Sequence, residues 1–248
     1  QARAMFTVPS TLMRCWRAAS RRQYAAESEP IVREMTETLE KLEQQPGVLT
    51  PAEAARIREE RPGVVFAPHV ETSAGIILPD DYVTALASAA HEVGAIMVLD
   101  CIASGTLWVN MAELGVDVLI SAPQKGWSGT PCAGLVMLGE RALAAVEQTK
   151  STSFAADLKK WLDIMRAYEG GGHAYHATMP TDGLRTLHAT MAETESIGFE
   201  KLREAQIELG RRARAMLLDN GFQSVAASGF EAPCVVVSYT DDAGIMAK

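Results

Sequence analysis

The sequence predicts an α/β fold: a mainly parallel sheet flanked by helices, with the start of a small α+β domain at its C-terminal end. Three observations predict it. Residues 94–100 (Gly-Ala-Ile-Met-Val-Leu-Asp) are an unbroken apolar run closed by a carboxylate, the pattern of a strand buried on both faces. Residues 116–121 repeat that pattern, and residues 107–114 between them can supply a short crossover helix. Strand-like and helix-like stretches then alternate from Val64 to Gln148, as they do in layered α/β domains. A strand–helix–strand unit of this kind has parallel strands and a right-handed crossover. Asp100 and the Gln124-Lys125 pair therefore leave the same C-terminal edge of the sheet, where open α/β sheets bind ligands.

Residues 11–24 and 31–44 read as helices, the second with Ile31, Met35, Leu39 and Leu42 at helical spacing. Pro46-Gly47 breaks the pattern. The next helix opens with Thr50 as cap, Pro51 in the first helical position and Glu53 completing a capping box, and it ends near Arg61-Pro62-Gly63. Residues 64–67 form a short buried strand, 80–93 an amphipathic helix, 134–138 a strand and 140–148 a helix. Gly170-Gly171-Gly172 marks a turn. Residues 182–220 are helical with a break at Ile197-Gly198, Gly221 caps them, and residues 235–237 are a late strand. The division expected is a large domain over residues 1–197 and a partial small domain over 198–248.

A chain of 248 residues can bury roughly 70–75% of its unfolded surface. Its 48% hydrophobic and 22% charged residues are ordinary for a globular protein. A net charge of −8, with no basic cluster longer than Arg21-Arg22, argues against nucleic acid or an anionic membrane as the main partner. No apolar stretch approaches the ~18 residues of a spanning helix, and the N-terminus carries no signal-peptide pattern. Cys15, Cys101, Cys132 and Cys234 lack CxxC spacing, so inert free thiols in a reducing compartment, the cytoplasm, are expected. The histidines are too dispersed for a metal site, and no GxGxxG or Walker pattern follows any strand.

Pro123 and Gly126 pin the turn that carries Lys125, and Gln124 sets an amide beside the amine. A lysine whose ammonium is partly desolvated loses basicity, and its free amine can then attack an aldehyde. A buried carboxylate facing a pyridine nitrogen keeps that nitrogen protonated. Together these are the contributions that pyridoxal 5′-phosphate chemistry most needs from a protein, a covalent tether and an electron-sink partner. Blander readings stand beside them. Lys125 could be a solvated loop residue and Asp100 the cap of the crossover helix. Thr72 and Ser73 could serve the turn they sit in, Ile102 could be core, and Tyr175 and His176 could be surface aromatics. His69 reads as a structural hydrogen-bonder rather than a base or ligand.

Four ordered motifs resemble the class V aminotransferases, and within them the alanine–glyoxylate and serine–pyruvate branch. They are Pro-His-Val-Glu-Thr-Ser-Ala-Gly at 68–75, Val-Leu-Asp-Cys-Ile-Ala-Ser at 98–104, Gly-Val-Asp-Val-Leu at 115–119 with Ser-Ala-Pro-Gln-Lys-Gly at 121–126, and Tyr-His-Ala-Thr at 175–178. The resemblance spans about residues 63–220. It implies the large domain of a pyridoxal-phosphate enzyme over residues 1–197. Lys125 would form the Schiff base, Asp100 would pair with the pyridine nitrogen and Ile102 would pack under the ring. Thr72 and Gln124 would contact the cofactor near its phenolic oxygen or phosphate. Tyr175 and Thr178 would reach the phosphate of a neighbouring subunit's cofactor, in a homodimer with shared active sites.

The implied reaction moves an amino group between a small amino acid (alanine or serine) and a 2-oxo acid (glyoxylate or pyruvate). A lyase or desulfurase on the same site, and a non-catalytic relative that keeps the fold, are the rival expectations. The family's phosphate-cradling turn, its ring-stacking aromatic and its substrate-carboxylate arginine have no counterpart readable here. The sequence is therefore expected to be an internal fragment or a divergent, shortened relative, inactive as written.

Overall fold

The computed structural model describes residues 4–6 and 51–241. In chain order its elements are β1 (Ala4–Phe6), α1 (Pro51–Glu60), β2 (Val64–Pro68), β3 (Val70–Glu71), β4 (Ile76–Ile77) and α2 (Asp80–Glu92). Then come β5 (Ile96–Asp100), α3 (Met111–Leu114), β6 (Val118–Ser121), β7 (Leu135–Leu138), α4 (Glu140–Gln148), α5 (Leu158–Glu169), α6 (Thr181–Ile197) and α7 (Phe199–Asp219). One sheet runs β1-β2-β5-β6-β7, parallel except for the last strand; β3 and β4 pair apart from it as a hairpin. The expected helices at 11–24 and 31–44 and the Thr50 cap lie outside the described residues.

β5 is the middle of the sheet because its central residues are apolar and need no water: Met97, Val98 and Leu99 are all buried. It pairs Val64 with Ile96 through Pro68 with Asp100 on one side, and Val98 with Val118 through Asp100 with Ile120 on the other. Pro68, Asp100 and Ile120 thus stand level at the C-terminal edge. α2 covers this sheet with Tyr82, Val83, Leu86, Ala87 and Ala90, a single face at helical spacing. Asp80 and Asp81 sit in its first turn, where the helix dipole favours carboxylates. That face, Ile57 of α1, and Val65, Ala67, Leu99 and Leu119 of the strands make the main core.

The structure departs from expectation in four places. The crossover helix is one turn, Met111–Leu114, capped by Asn110, whose Oδ1 accepts the Glu113 amide at 3.4 Å. Residues 107–110 leave the helix because tertiary contacts claim the segment: Thr106 Oγ1 donates to Leu202 O (3.0 Å) and Trp108 Nε1 to Phe199 O (3.0 Å). Residues 235–237 form no strand. Val237 O accepts the Val225 amide at 3.0 Å beside one isolated bridge, Ser224 with Ser238, and three β-branched residues do not make a ladder without further partners. Helix α5 was not expected at all, although Asp157 caps it by accepting the Lys160 amide at 3.1 Å. The loop at 70–77 contains the β3–β4 hairpin, which two-residue strands do not announce in sequence.

The expected break between the last two helices falls at Gly198, whose φ of 102° glycine adopts freely and other residues do not. Past α7 the Gly221 amide donates to Leu218 O (2.9 Å) and the Phe222 amide to Leu217 O (2.9 Å), closing the helix. Among the described residues, no helix is long and apolar enough to cross a membrane.

Candidate active site

The ladder does not stop at the strand ends. The His69 amide donates to Asp100 O and the Cys101 amide to Ile120 O, both at 2.8 Å, so β2, β5 and β6 stay joined one residue beyond the sheet. Asp100 Oδ1 then accepts the amide of Ile102 at 2.9 Å. This local turn bond sets the carboxylate at the strand end and leaves its other oxygen for another donor. Asp100 is half-buried, and it caps this turn rather than the crossover helix, which has Asn110 for that purpose. Ile102 is half-buried too.

Lys125 follows β6 in a tight turn. Its amide donates to Ala122 O (3.4 Å), its carbonyl accepts from Ser128 (2.9 Å), and Gly129 donates to Pro123 O (2.8 Å). Ala122 and Pro123 are buried, whereas Gln124 and Lys125 are exposed. The shielding expected of the ammonium is therefore not supplied by the described chain, because the turn points away from the core that anchors it.

Two features that sequence reasoning missed hold this turn beside the loop after β5. A Cβ on Gly126 would lie 2.1 Å from Gly105 O, so the two backbones touch. Trp127 also packs on Trp108, rings tilted by 45° with centroids 5.0 Å apart, and Trp108 meets Phe199 of α7 edge-on at 5.2 Å. The only signal was two glycines and two tryptophans near the motifs. Which glycine meets which backbone is not a sequence pattern.

Below the edge, His69 is 3% exposed and its Nδ1 lies 2.8 Å from Ser104 Oγ. Burial pushes its imidazole down to about 4, with Asp80 opposing. The unfolded histidine, near 6.5, binds a proton that the folded one refuses, so stability falls as pH drops from about 6.5 towards 4. Lowering the pH from 7 to 4.5 is expected to destabilise the wild type by about 2–3 kcal/mol more than His69→Gln. Thermal melts across that range measure it, and parallel curves for the two proteins would overturn the assignment.

Thr72 is exposed in the β3–β4 turn, where Glu71 Oε1 accepts the amide and hydroxyl of neighbouring Ser73 at 2.7 and 2.6 Å. Tyr175, 79% exposed, and Thr178 are further along the chain, their hydroxyls 3.2 Å apart. His176 between them is held: Nε2 lies 2.8 Å from Phe154 O, and the ring packs on Phe154 and Trp161 of α5. The structure thus gathers Asp100, Ile102, Gln124 and Lys125 at one sheet edge and leaves the Tyr175–Thr178 pair on the surface. Among the described residues, no group of three His, Cys, Asp or Glu side chains could hold a metal ion.

A mainly parallel sheet with a carboxylate closing one strand and a lysine turn after the next is the arrangement this chain shares with solved aminotransferases. An alanine–glyoxylate aminotransferase from Nostoc sp. superposes with a TM-score of 0.68 at 20% identity, over 79% of this chain and 51% of that one. A pyridoxamine–pyruvate aminotransferase from Mesorhizobium loti gives 0.67 at 18%, over 79% and 50%. The family model for aminotransferase class-V matches residues 29–237, and the chain belongs to that family.

Among curated relatives, a 2-aminoethylphosphonate–pyruvate transaminase from Burkholderia ambifaria is 31% identical over 192 residues, 77% of this chain and 49% of the relative. An alanine–glyoxylate aminotransferase from Oryctolagus cuniculus is 26% identical over 170 residues, 67% and 42%. The chain spans about half the length of these relatives or less.

Proposed function

We propose that this chain carries the lysine half of a pyridoxal-phosphate site, and that the parent activity moves an amino group from a small amine to a small 2-oxo acid. The observation that carries the reading is the exposed Lys125 amine, held by Gly126 against the loop that follows Asp100. The donor set fits the cofactor: a primary amine for its aldehyde, a half-buried carboxylate for its ring nitrogen, and the hydroxyl and amide of Thr72 and Gln124 for its oxygens. When bound, pyridoxal phosphate supplies the aldehyde and an electron-accepting ring. Lys125 would hold it by its amine and, as a free amine, would serve as the base at the substrate carbon; Asp100 would keep the ring nitrogen protonated by a charge-assisted hydrogen bond. Ile102 supplies an apolar surface at the same strand end.

The names of the two relatives pair a small amine with pyruvate or glyoxylate, which supports the substrate class. Alanine or serine as donor, and glyoxylate or pyruvate as acceptor, is the assignment to test. The exposed Tyr175 and Thr178 hydroxyls suit a phosphate held by a second copy across a two-fold axis. Sedimentation that finds only monomer would remove that part.

Borohydride reduction of the chain after incubation with pyridoxal phosphate, followed by peptide mapping, is expected to label Lys125 in preference to Lys150, Lys159 and Lys160. A label shared evenly among these lysines would overturn the site. Product analysis with alanine, serine or 2-aminoethylphosphonate as donor, on the full-length protein, separates transfer from elimination or desulfuration.

A further inference from the structure

A cavity of about 580 Å³ lies along α7, away from the lysine turn, and none of Asp100, Thr72, Gln124 or Lys125 lines it. Its size is within the roughly 300–1,000 Å³ of small-ligand sites. Arg203, Ile207, Arg211, Arg214 and Leu218 fall on one face of the helix at three- and four-residue steps and form one wall. Leu107, Ile77 and Pro233 oppose them, and Glu231 is the one acid among the lining residues.

The three cations differ in what they already hold. Arg211 forks onto Glu208 with two bonds of 2.8 Å, and Arg203 reaches Glu200 at 3.5 Å. Arg214 instead donates Nη2 to two carbonyls, Ala232 O (2.7 Å) and Val235 O (3.1 Å), and its Nε is buried without a partner. Glu231 lies near enough to act on Arg214, but its Oε2 accepts the Gly229 amide at 2.6 Å. Among the described residues, no carboxylate stands within ion-pair distance of Arg214. A guanidinium that spends one nitrogen on two carbonyls and has no carboxylate beside it keeps its charge unpaired, and an anion in the cavity answers that charge. The surrounding Leu107, Ile207 and Leu218 mean that the anion must bring an apolar body.

We infer that this cavity binds a small amphipathic carboxylate, whose acid group meets the Arg214 guanidinium, which has no carboxylate partner among the described residues, and whose hydrocarbon lies against Ile207, Leu218 and Leu107. The site is independent of Lys125 and of the reaction proposed for it.

The test uses the 248-residue chain with octanoate as probe, read by calorimetry. Saturable binding of one octanoate per chain is expected, with octanamide weaker by about tenfold or more, the contribution of one charge-assisted hydrogen bond. Ala215→Trp, which fills the cavity from its exposed rim, and Arg214→Lys, which keeps the charge but loses the guanidinium, should each weaken octanoate by at least about tenfold. Arg211→Gln, whose charge is already met by Glu208, should change affinity by less than about threefold. Equal binding of octanamide and octanoate, no saturable binding, or wild-type affinity in Ala215→Trp would each overturn the proposal. Should Arg214→Lys fail to fold, Ala215→Trp and the octanamide comparison still decide it.

Discussion

Gly126→Ala is expected to lose both stability and selective labelling of Lys125. The added Cβ would sit 2.1 Å from Gly105 O, 2.8 Å from its carbonyl carbon and 3.2 Å from its Cα. All three are backbone atoms, so no side chain can turn aside. Gly105 cannot retreat cheaply either. Its own missing Cβ position is 2.8 Å from Cys234 Cβ, and Cys234 is tied back to Ala103 O at 2.9 Å. The lysine turn must therefore lift off the loop after β5, pulling Trp127 from Trp108.

Overpacking of this kind costs about 1–3 kcal/mol or more, which lowers the melting temperature by about 2–4 °C per kcal/mol in a chain of this size. Gly134→Ala is the control, since nothing lies within 4 Å of its new Cβ; surface changes of that kind stay within about 0.5 kcal/mol. Equal melting temperatures for the two variants, with Lys125 still labelled first, would show that the close approach does not hold the turn.

Asp117→Ala is expected to be the most destabilising single carboxylate removal in the described chain, at about 3–5 kcal/mol. Asp117 opens β6 at the sheet edge opposite Lys125, with its side chain 6% exposed. One oxygen accepts both the buried Met97 amide and His91 Nε2, each at 2.8 Å; the other lies 3.3 Å from Arg141 Nε. Arg141 also donates to Ala95 O at 3.1 Å, so the cluster ties α2, β5 and α4 to the start of β6. Alanine would leave the Met97 N–H unsatisfied in the core and take from His91 and Arg141 the carboxylate both contact.

Asp117→Asn keeps an acceptor and should cost less, about 1.5–3 kcal/mol, the range for hydrogen bonds to a charged group. Urea denaturation measures both. Because the cluster is at the far edge, Lys125 labelling of the folded fraction should not change. An alanine variant within about 1 kcal/mol of wild type would mean the network contributes little.

Much of this architecture was readable before any coordinates. The runs ending at Asp100 and Ser121 announced central parallel strands because continuous apolar residues suit nothing half-exposed. The 3.6-residue period of Tyr82, Leu86 and Ala90 announced α2, and Gly198 and Gly221 announced ends, because a backbone conformation open to glycine is written in one letter. His69 was legible as structural, since a histidine between two apolar strands needs a partner; that the partner is Ser104 was not. Helix α5 was overlooked because Trp161, Met165 and Tyr168 face outward in part and blur its apolar stripe. The direction of β7 was also silent, for residues 122–134 could return either way.

By itself, then, the sequence determined what depends on neighbours along the chain: the strand runs, the helix periods, the glycine breaks, and the fact that an acid and an amine leave the sheet at one edge. Only the tertiary structure decided what depends on residues far apart in sequence meeting in space. It set Gly126 on Gly105, Trp127 on Trp108 and Phe199, Asn110 rather than Asp100 as the helix cap, and Arg214 beside the carbonyls of Ala232 and Val235 with one donor to spare. Hydrophobic period and backbone preference are local and repeat; close packing and hydrogen-bond pairing are not, because each contact exists only once both partners have been placed by the rest of the fold.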